Sequence, residues 1–111
     1  MDNRINEYRV MWLMVFFDMP TETKAQRKEY SNFRKVLLKD GFRMFQFSIY
    51  IRYCMSIESA EAHRRKVKNY IPQYGDVGVL TITDKQFSSM EIFHGMKKKK
   101  APPIAIQLEL F

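Results

Sequence analysis

Asp18 is the residue of this sequence best placed to do chemistry, because it directly follows an apolar run at residues 13–17. A wholly apolar run of this length is typical of a β-strand that is buried on both faces. A carboxylate at the C-terminal end of such a strand reaches the surface on a rigid support, and its oxygens are hard ligands that suit a divalent cation. Asp18 is therefore the candidate ligand for a divalent cation.

A basic helix is predicted directly after this carboxylate. Thr23, with Gln26 three residues later, has the spacing of a capping box, and Gly41 supplies the left-handed residue that ends many helices. Apolar residues at helical spacing mark one side of the segment, and at about 100° per residue the basic residues fall on the other side. We interpret these basic residues as a nucleic-acid-binding surface that holds a polyanion in front of the cation, because Glu29 is the only acidic residue between positions 23 and 39. This basic stripe consists of Lys24, Arg27, Lys28, Arg34 and Lys35.

The segments after the basic helix predict further strands. Residues 42–53 are rich in aromatic and branched side chains but exceed the about five or six residues of an average strand. We divide them into two strands near residues 46–48, with a single bulged strand as the alternative, because no Gly or Asn marks a turn. A final apolar strand covers residues 77–83.

A second helix lies between these strands. It begins at Ser56 or Ser59, either of which suits an N-cap, and ends near Tyr70, before Pro72. His63 lies on its apolar side. We expect a packed histidine there rather than a metal ligand, because no His or Cys partner sits at metal-binding spacing.

The order strand, helix, strand, strand, helix, strand predicts an α+β fold of the ferredoxin-like βαββαβ type. Both helices would lie on one face of an antiparallel sheet and leave the opposite face bare. The strands carry too few polar residues to solvate that face. We therefore expect a homodimer in which the two bare faces are buried against each other.

The end of the chain differs from the rest. Residues 1–96 form the predicted nucleic-acid-binding domain, and residues 97–111 begin with lysines and prolines typical of an exposed linker. Beyond the linker, apolar residues alternate with period two, which predicts an extra C-terminal strand that needs another sheet edge. This strand would pair across a dimer, onto a partner protein, or back onto its own sheet. Its interface residues are Ile104, Ile106, Leu108 and Leu110.

Composition limits the class of protein. The 111 residues suit one domain, and a net charge of +7 at pH 7 favours a polyanionic partner, although solubility alone explains such a charge equally well. Cys54 is the only cysteine, and we interpret it as a core thiol in a cytoplasmic protein without disulfides. No run approaches the about 20 apolar residues of a membrane span, so we expect no membrane contact. Residues 1–8 are polar and charged, unlike a signal peptide.

Several short motifs, in their order and spacing, resemble a known family. They are residues 17–20 (FDMP), 28–30 (KEY), 33–35 (FRK), 38–42 (LKDGF), 46–50 (QFSIY) and 80–87 (LTITDKQF). On these motifs the chain, from about residue 11 to residue 95, resembles the Cas2 family of CRISPR adaptation proteins and endonucleases, in the form that accompanies type II systems.

The resemblance implies a ferredoxin-like homodimer in which Asp18 of both protomers faces across the interface, binds Mg²⁺ or a similar cation and acts as the catalytic carboxylate. It implies metal-dependent endonuclease activity on RNA or DNA. It also implies a role in spacer acquisition, in which the protein forms a DNA-binding complex with the CRISPR integrase, Cas1. The predicted C-terminal strand is similar to the extra strands that mediate dimer and integrase contacts in this family.

Two hypotheses follow, and they are compatible with each other. The first is an Mg²⁺-dependent phosphodiesterase that uses paired Asp18, with Ser48 and backbone carbonyls as candidates to complete the metal shell and neither His63 nor His94 placed as a base. The second is a non-catalytic adaptor that clamps duplex DNA through the basic stripe and bridges integrase dimers. A ferredoxin-like regulatory or small-RNA-binding module would need Asp18 to be only a solvated strand end, and the resemblance argues against it.

Overall fold

The described part of the chain, residues 10–99 of a computed structural model, alternates strands and helices. In chain order the elements are β1 (Met11–Asp18), α1 (Lys24–Lys39), β2 (Arg43–Gln46), β3 (Ile49–Cys54), α2 (Ile57–Asn69), β4 (Asp76–Thr83), α3 (Asp84–Ser88), β5 (Ile92–His94) and β6 (Lys97–Lys99). The predicted C-terminal strand, with Ile104, Ile106, Leu108 and Leu110, lies outside the described residues. Within residues 10–99, no helix has both the length and the apolar character that crossing a bilayer requires.

Four strands form one antiparallel sheet in the order β2-β3-β1-β4, so that β1 lies between β3 and β4. Val15 of β1 stands opposite Tyr50 on one side and Val79 on the other. With α1 and α2 as the connecting helices, this is the βαββαβ pattern of a ferredoxin-like fold, which confirms the predicted fold class. The apolar character of β1 follows from its position, because an interior strand packs side chains on both faces of the sheet.

One face of the sheet packs against the two long helices. Strand alternation directs Leu13, Val15 and Phe17 to this face, and all three are buried. They share a core with buried residues of α1 and α2, namely Phe33, Leu37, Ala60 and Val67. The helices therefore position β1 through its odd-numbered residues.

The even-numbered residues of β1 point to the opposite face, which α3 covers in part. Trp12 and Met14 are buried there together with Ile51 and Phe87, the latter from α3. The Trp12 and Phe87 rings stack with centroids 4.2 Å apart, and Trp12 Nε1 donates a hydrogen bond to Asp84 Oδ1 at 2.8 Å. The expectation of a wholly bare face is wrong at this end of the sheet, because the chain folds back over it after β4.

The other end of this face is open. Phe16 is only half-buried, and Leu80 of β4 is 47% exposed. Gly78, which stands opposite Phe16, contributes no side chain to cover it. We call the surface around Phe16, Gly78 and Leu80 the open face.

Side-chain caps begin both long helices where the sequence predicts them. Thr23 Oγ1 accepts a hydrogen bond from Gln26 N at 3.1 Å, and Gln26 Oε1 accepts one from Thr23 N at 2.9 Å, which completes the capping box. Of the two candidate caps for α2, Ser56 is the one used, since its hydroxyl accepts a hydrogen bond from Ser59 N at 3.0 Å. Gly41 follows α1 with φ +97°, as the predicted left-handed residue.

Cys54 and His63 are both part of the packed interior, as predicted. Cys54 is fully buried, and burial raises the pKa of its thiol. His63 Nδ1 lies 2.7 Å from Asp40 Oδ2, and both side chains are largely buried. Because Asp40 caps the C-terminal end of α1, this contact ties α1 to α2.

The hairpin of β2 and β3 turns at Phe47 and Ser48. The predicted division into two strands is confirmed, and a register shift between Met44 and Gln46 adds the irregularity that the alternative proposed. Ser48 has φ +63°, a left-handed value that Gly or Asn usually supplies. The sequence therefore marks this turn poorly.

A separate two-stranded sheet follows α3. β5 pairs antiparallel with β6, and Gly95 in the turn between them has φ +63°. The lysine run that we expect to form a linker thus starts as a strand at Lys97–Lys99. The domain boundary after residue 96 stays a prediction.

The turn before β4 lies directly against the end of β1. Gly75 has φ +101°, and a Cβ at this position would lie 2.9 Å from the carbonyl oxygen of Asp18 and 2.9 Å from Met19 Cγ. A side chain at Gly75 would therefore push the turn away from the strand end that carries Asp18.

We expect Gly75→Ala to destabilise the protein more than Gly95→Ala. Both residues have a left-handed φ, which costs an alanine about 1–2 kcal/mol. A Cβ at Gly95 would meet nothing within 4 Å, whereas at Gly75 it also collides with backbone. Urea unfolding of the two variants measures the difference in free energy, and equal losses would show that the Gly75 turn is not packed against Asp18.

Candidate functional site

Asp18 ends β1 on the open face of the sheet. Its side chain is exposed, and strand alternation places it on the same side as Trp12, Met14 and Phe16. The helices lie on the opposite side, against Leu13, Val15 and Phe17. Asp18 therefore faces away from the layer that contains the basic stripe.

Asp76 stands directly opposite Asp18 in the β1–β4 ladder. Residues paired in this way lie on the same face of a sheet with their Cβ atoms about 4.5–5.5 Å apart. Both carboxylates are exposed. Sequence analysis missed Asp76 because the Gly75-Asp76 pair is typical of a turn. Only the pairing of β4 with β1 shows that Asp76 meets Asp18.

An open groove of about 380 Å³ runs past these two carboxylates. Its lining combines the acidic pair with apolar residues and the β2–β3 turn: Phe16, Phe17, Asp18, Phe47, Ser48, Ile49, Asp76 and Gly78. Phe17 N donates a hydrogen bond to Ser48 O at 3.1 Å, which fastens the turn next to the end of β1. The structure thus brings Ser48 to the same groove as Asp18.

The groove suits a divalent cation with few protein ligands. Mg²⁺ is commonly held by one or two carboxylates, with waters and substrate phosphates in the remaining positions. The acidic pair matches this requirement, and residues 10–99 contain no cluster of three or more His, Cys, Asp and Glu side chains that would offer a fuller cage. His63 and His94 lie outside the groove, on α2 and β5, so neither supplies a base there.

The basic stripe lies on the outer side of α1. Lys24, Lys28 and Lys35 are exposed, and none of them forms an ion pair within the described residues. These lysines are therefore available to phosphates on the helix side of the sheet. Strand alternation places Asp18 on the other face of the sheet from α1, and the expected arrangement, in which the stripe holds a polyanion in front of the Asp18 cation, stays a prediction.

The two arginines of the stripe also have structural contacts. One guanidinium nitrogen of Arg27 donates hydrogen bonds to the carbonyl oxygens of Thr21 at 3.2 Å and Glu22 at 2.9 Å. Arg34 Nε donates to the hydroxyl of Tyr50 at 2.7 Å. Arg27 thus supports the loop between β1 and α1, and Arg34 ties α1 to β3.

Curated relatives match nearly the whole chain. A protein of Flavobacterium psychrophilum named CRISPR-associated endoribonuclease Cas2 is 56% identical over 108 residues, which cover 97% of this chain and 94% of the relative. Proteins with the same name from Parvibaculum lavamentivorans and Paracidovorax avenae are 46% and 41% identical, over 91% and 94% of this chain and 100% and 96% of the relatives.

The family comparison agrees with these relatives. The family model described as CRISPR associated protein Cas2 matches residues 11–90, which include every strand of the main sheet, both long helices and the groove at Asp18. The matched segment also carries the acidic pair of Asp18 and Asp76 and the turn at Ser48. On the fold, the motifs and these matches, the chain belongs to the CRISPR-associated protein Cas2 family.

Proposed function

We propose that this protein is a metal-dependent endoribonuclease whose site is the groove at Asp18. The observation that carries the proposal is the pairing of Asp18 with Asp76 on an open, groove-lined end of the sheet. The name endoribonuclease, which the relatives share, supports RNA as the substrate. Asp18 is the catalytic carboxylate of the proposal, and DNA is the alternative substrate.

The acidic pair of Asp18 and Asp76 has a clear role in such a reaction, which is to hold the metal. Asp18 and Asp76 would hold Mg²⁺ or another divalent cation, and Ser48, which lines the same groove, is the candidate to support the shell. When bound, such a cation would polarise a phosphoryl oxygen and lower the pKa of a nearby water, which is the chemistry that hydrolysis of a phosphodiester needs. The open front of the groove leaves room for the phosphodiester between the protein and solvent.

A homodimer is part of the proposal. Beside the groove, the open face carries the exposed apolar side chain of Leu80. Burying such a surface against a second copy removes it from water, which stabilises the dimer by about 25 cal/mol per Å² of apolar area buried. Because Asp18 lies on the same face, a symmetric pairing would bring the two copies of Asp18 towards a common axis.

We expect the acidic pair to determine how the protein responds to Mg²⁺. Without metal, Asp76→Asn should stabilise the protein by about 0.2–1 kcal/mol, because it removes like charges that face each other across the ladder. With metal, the melting temperature of the wild type should rise, and this rise should shrink in Asp76→Asn and vanish in Asp18→Asn. Glu29→Gln, on the helix layer, is the control and should keep the full rise; an unchanged rise in Asp18→Asn would contradict the site.

RNA cleavage tests the enzyme directly. In Mg²⁺, Asp18→Asn should cleave a short unstructured RNA at least about 100-fold more slowly than the wild type, because losing a cation from the transition state costs several kcal/mol. Glu29→Gln should cleave at the wild-type rate. If Asp18→Asn cleaves normally in a preparation freed of contaminating nucleases, Asp18 is not the catalytic carboxylate.

A second candidate function is that of a scaffold in spacer acquisition, in which the protein clamps protospacer DNA and bridges copies of the integrase Cas1. The observation that favours it is that the basic stripe lies on α1, in the helix layer, whereas strand alternation places Asp18 on the other face of the sheet. Lysines on an exposed helix face contact phosphates without reading bases, which suits a DNA clamp. The predicted C-terminal strand, with Ile104, Ile106, Leu108 and Leu110, remains the proposed contact to the integrase or to the second protomer.

The two surfaces should therefore be separable by mutation. We expect the double variant Lys24→Gln with Lys28→Gln to make the negative slope of log K for binding of duplex DNA against log salt shallower by about 2. The reason is that each lysine bound to a phosphate releases about one counterion. Asp18→Asn should keep both DNA binding and the integration of a short duplex by the complex with Cas1. Lys85→Gln, which removes one positive charge on α3, is the control and should leave the slope unchanged. Loss of integration by Asp18→Asn in an intact complex would contradict a purely scaffolding role.

A further inference from the structure

Phe47 is exposed to an unusual degree for a large apolar residue. At 83% exposed, it is the most exposed aromatic side chain among residues 10–99. Burying a phenylalanine is worth about 1.5–3 kcal/mol, so this side chain contributes little to folding where it stands. Packing in the core of the domain therefore does not account for a phenylalanine at residue 47.

The turn that carries Phe47 is tied to the sheet by a backbone hydrogen bond. It lies in a two-residue turn between paired strands, and the next residue, Ser48, has a left-handed φ of +63° without being glycine. A backbone of this kind costs energy and persists only where its surroundings hold it, as they do at many functional sites. Here the hydrogen bond from Phe17 N to Ser48 O, at 3.1 Å, fastens the turn to β1 one residue before Asp18.

Phe47 also lines the groove that contains the acidic pair. The other apolar residues of this groove include Phe16 and Ile49, and Gly78, which has no side chain, lies beside Phe16. An aromatic wall, an apolar floor and a pair of carboxylates thus share one open cleft. Metal would hold a phosphate at the acidic end, and the aromatic wall offers a flat surface to the adjoining base.

We propose that Phe47 is the stacking platform for the nucleobase next to the phosphate held at Asp18. This inference rests on the proposed endonuclease function and deepens it by naming the residue that positions the substrate. Aromatic stacking suits the role because every base has a π-face, so the contact tolerates any sequence. It requires an unpaired base, since a base within a duplex is already stacked on both sides.

Binding before cleavage is the first test, and it uses the full wild-type chain mixed rapidly with RNA in Mg²⁺ and followed at times that are short compared with cleavage. An RNA that contains 2-aminopurine should lose fluorescence on binding, because the probe base stacks on Phe47. Phe47→Ala should abolish this quenching, and Phe47→Trp should retain it. Phe93→Ala is the matched control, an exposed phenylalanine on β5 outside the groove, and should quench fully.

Kinetics are the second test. Phe47→Ala should raise KM for RNA about 5- to 150-fold with little change in kcat, which corresponds to the about 1–3 kcal/mol that one stacked base contributes. For an RNA with one abasic nucleotide at the stacking position, the KM of the wild type should rise by the same factor as the KM of Phe47→Ala rises with intact RNA. For Phe47→Ala, the abasic RNA and the intact RNA should have the same KM. This lack of additivity is a signature that a merely structural role of Phe47 would not produce.

The outcomes separate this inference from the function on which it rests. Quenching that survives Phe47→Ala, or no quenching with Phe47 present, overturns the stacking role. Dissociation of a wild-type dimer by Phe47→Ala, measured by sedimentation, also overturns it, because Phe47 would then be a subunit contact. If the wild type binds and quenches but never cleaves, the endonuclease proposal fails while the stacking role stands.

Discussion

The antiparallel register between β1 and β4 is the constraint on which the candidate site depends. It places Asp18 opposite Asp76, so that two like charges share one end of the sheet. The turn at Gly75 maintains this arrangement, because its backbone approaches the carbonyl of Asp18 more closely than any side chain would allow. Such an arrangement is unfavourable by itself and becomes favourable when a cation lies between the carboxylates.

The two faces of the sheet present different surfaces. The helix face buries the odd-numbered residues of β1 and presents the basic stripe to solvent beyond α1. The opposite face is closed by α3 at the Trp12 end and open at the Asp18 end. A polyanion on the basic stripe and a phosphodiester at Asp18 would therefore be distinct contacts, so the proposed endonuclease and the proposed DNA-binding scaffold are compatible on one small domain.

Much of the fold could be predicted from local sequence. The apolar run before Asp18, the capping box at Thr23 and the order of the elements identified the ferredoxin-like pattern, because each of these signals acts within a few residues. The turn at Phe47 and Ser48 was harder to place, since a serine with a left-handed φ leaves no glycine to mark it. The covering of Trp12 by Phe87 could not be predicted, because it joins residues that are far apart in the chain.

The sequence by itself determined the types of chemistry that are available: a carboxylate at a strand end, a helix with one basic side, and the motifs of the Cas2 family. Only the tertiary structure decided which of them meet. Alternation along β1 turns Asp18 away from the basic stripe, and strand pairing brings Asp76, Ser48 and Phe47 to it instead. The physical reason is that pairing register and sheet face depend on contacts between distant segments, which local residue patterns do not encode.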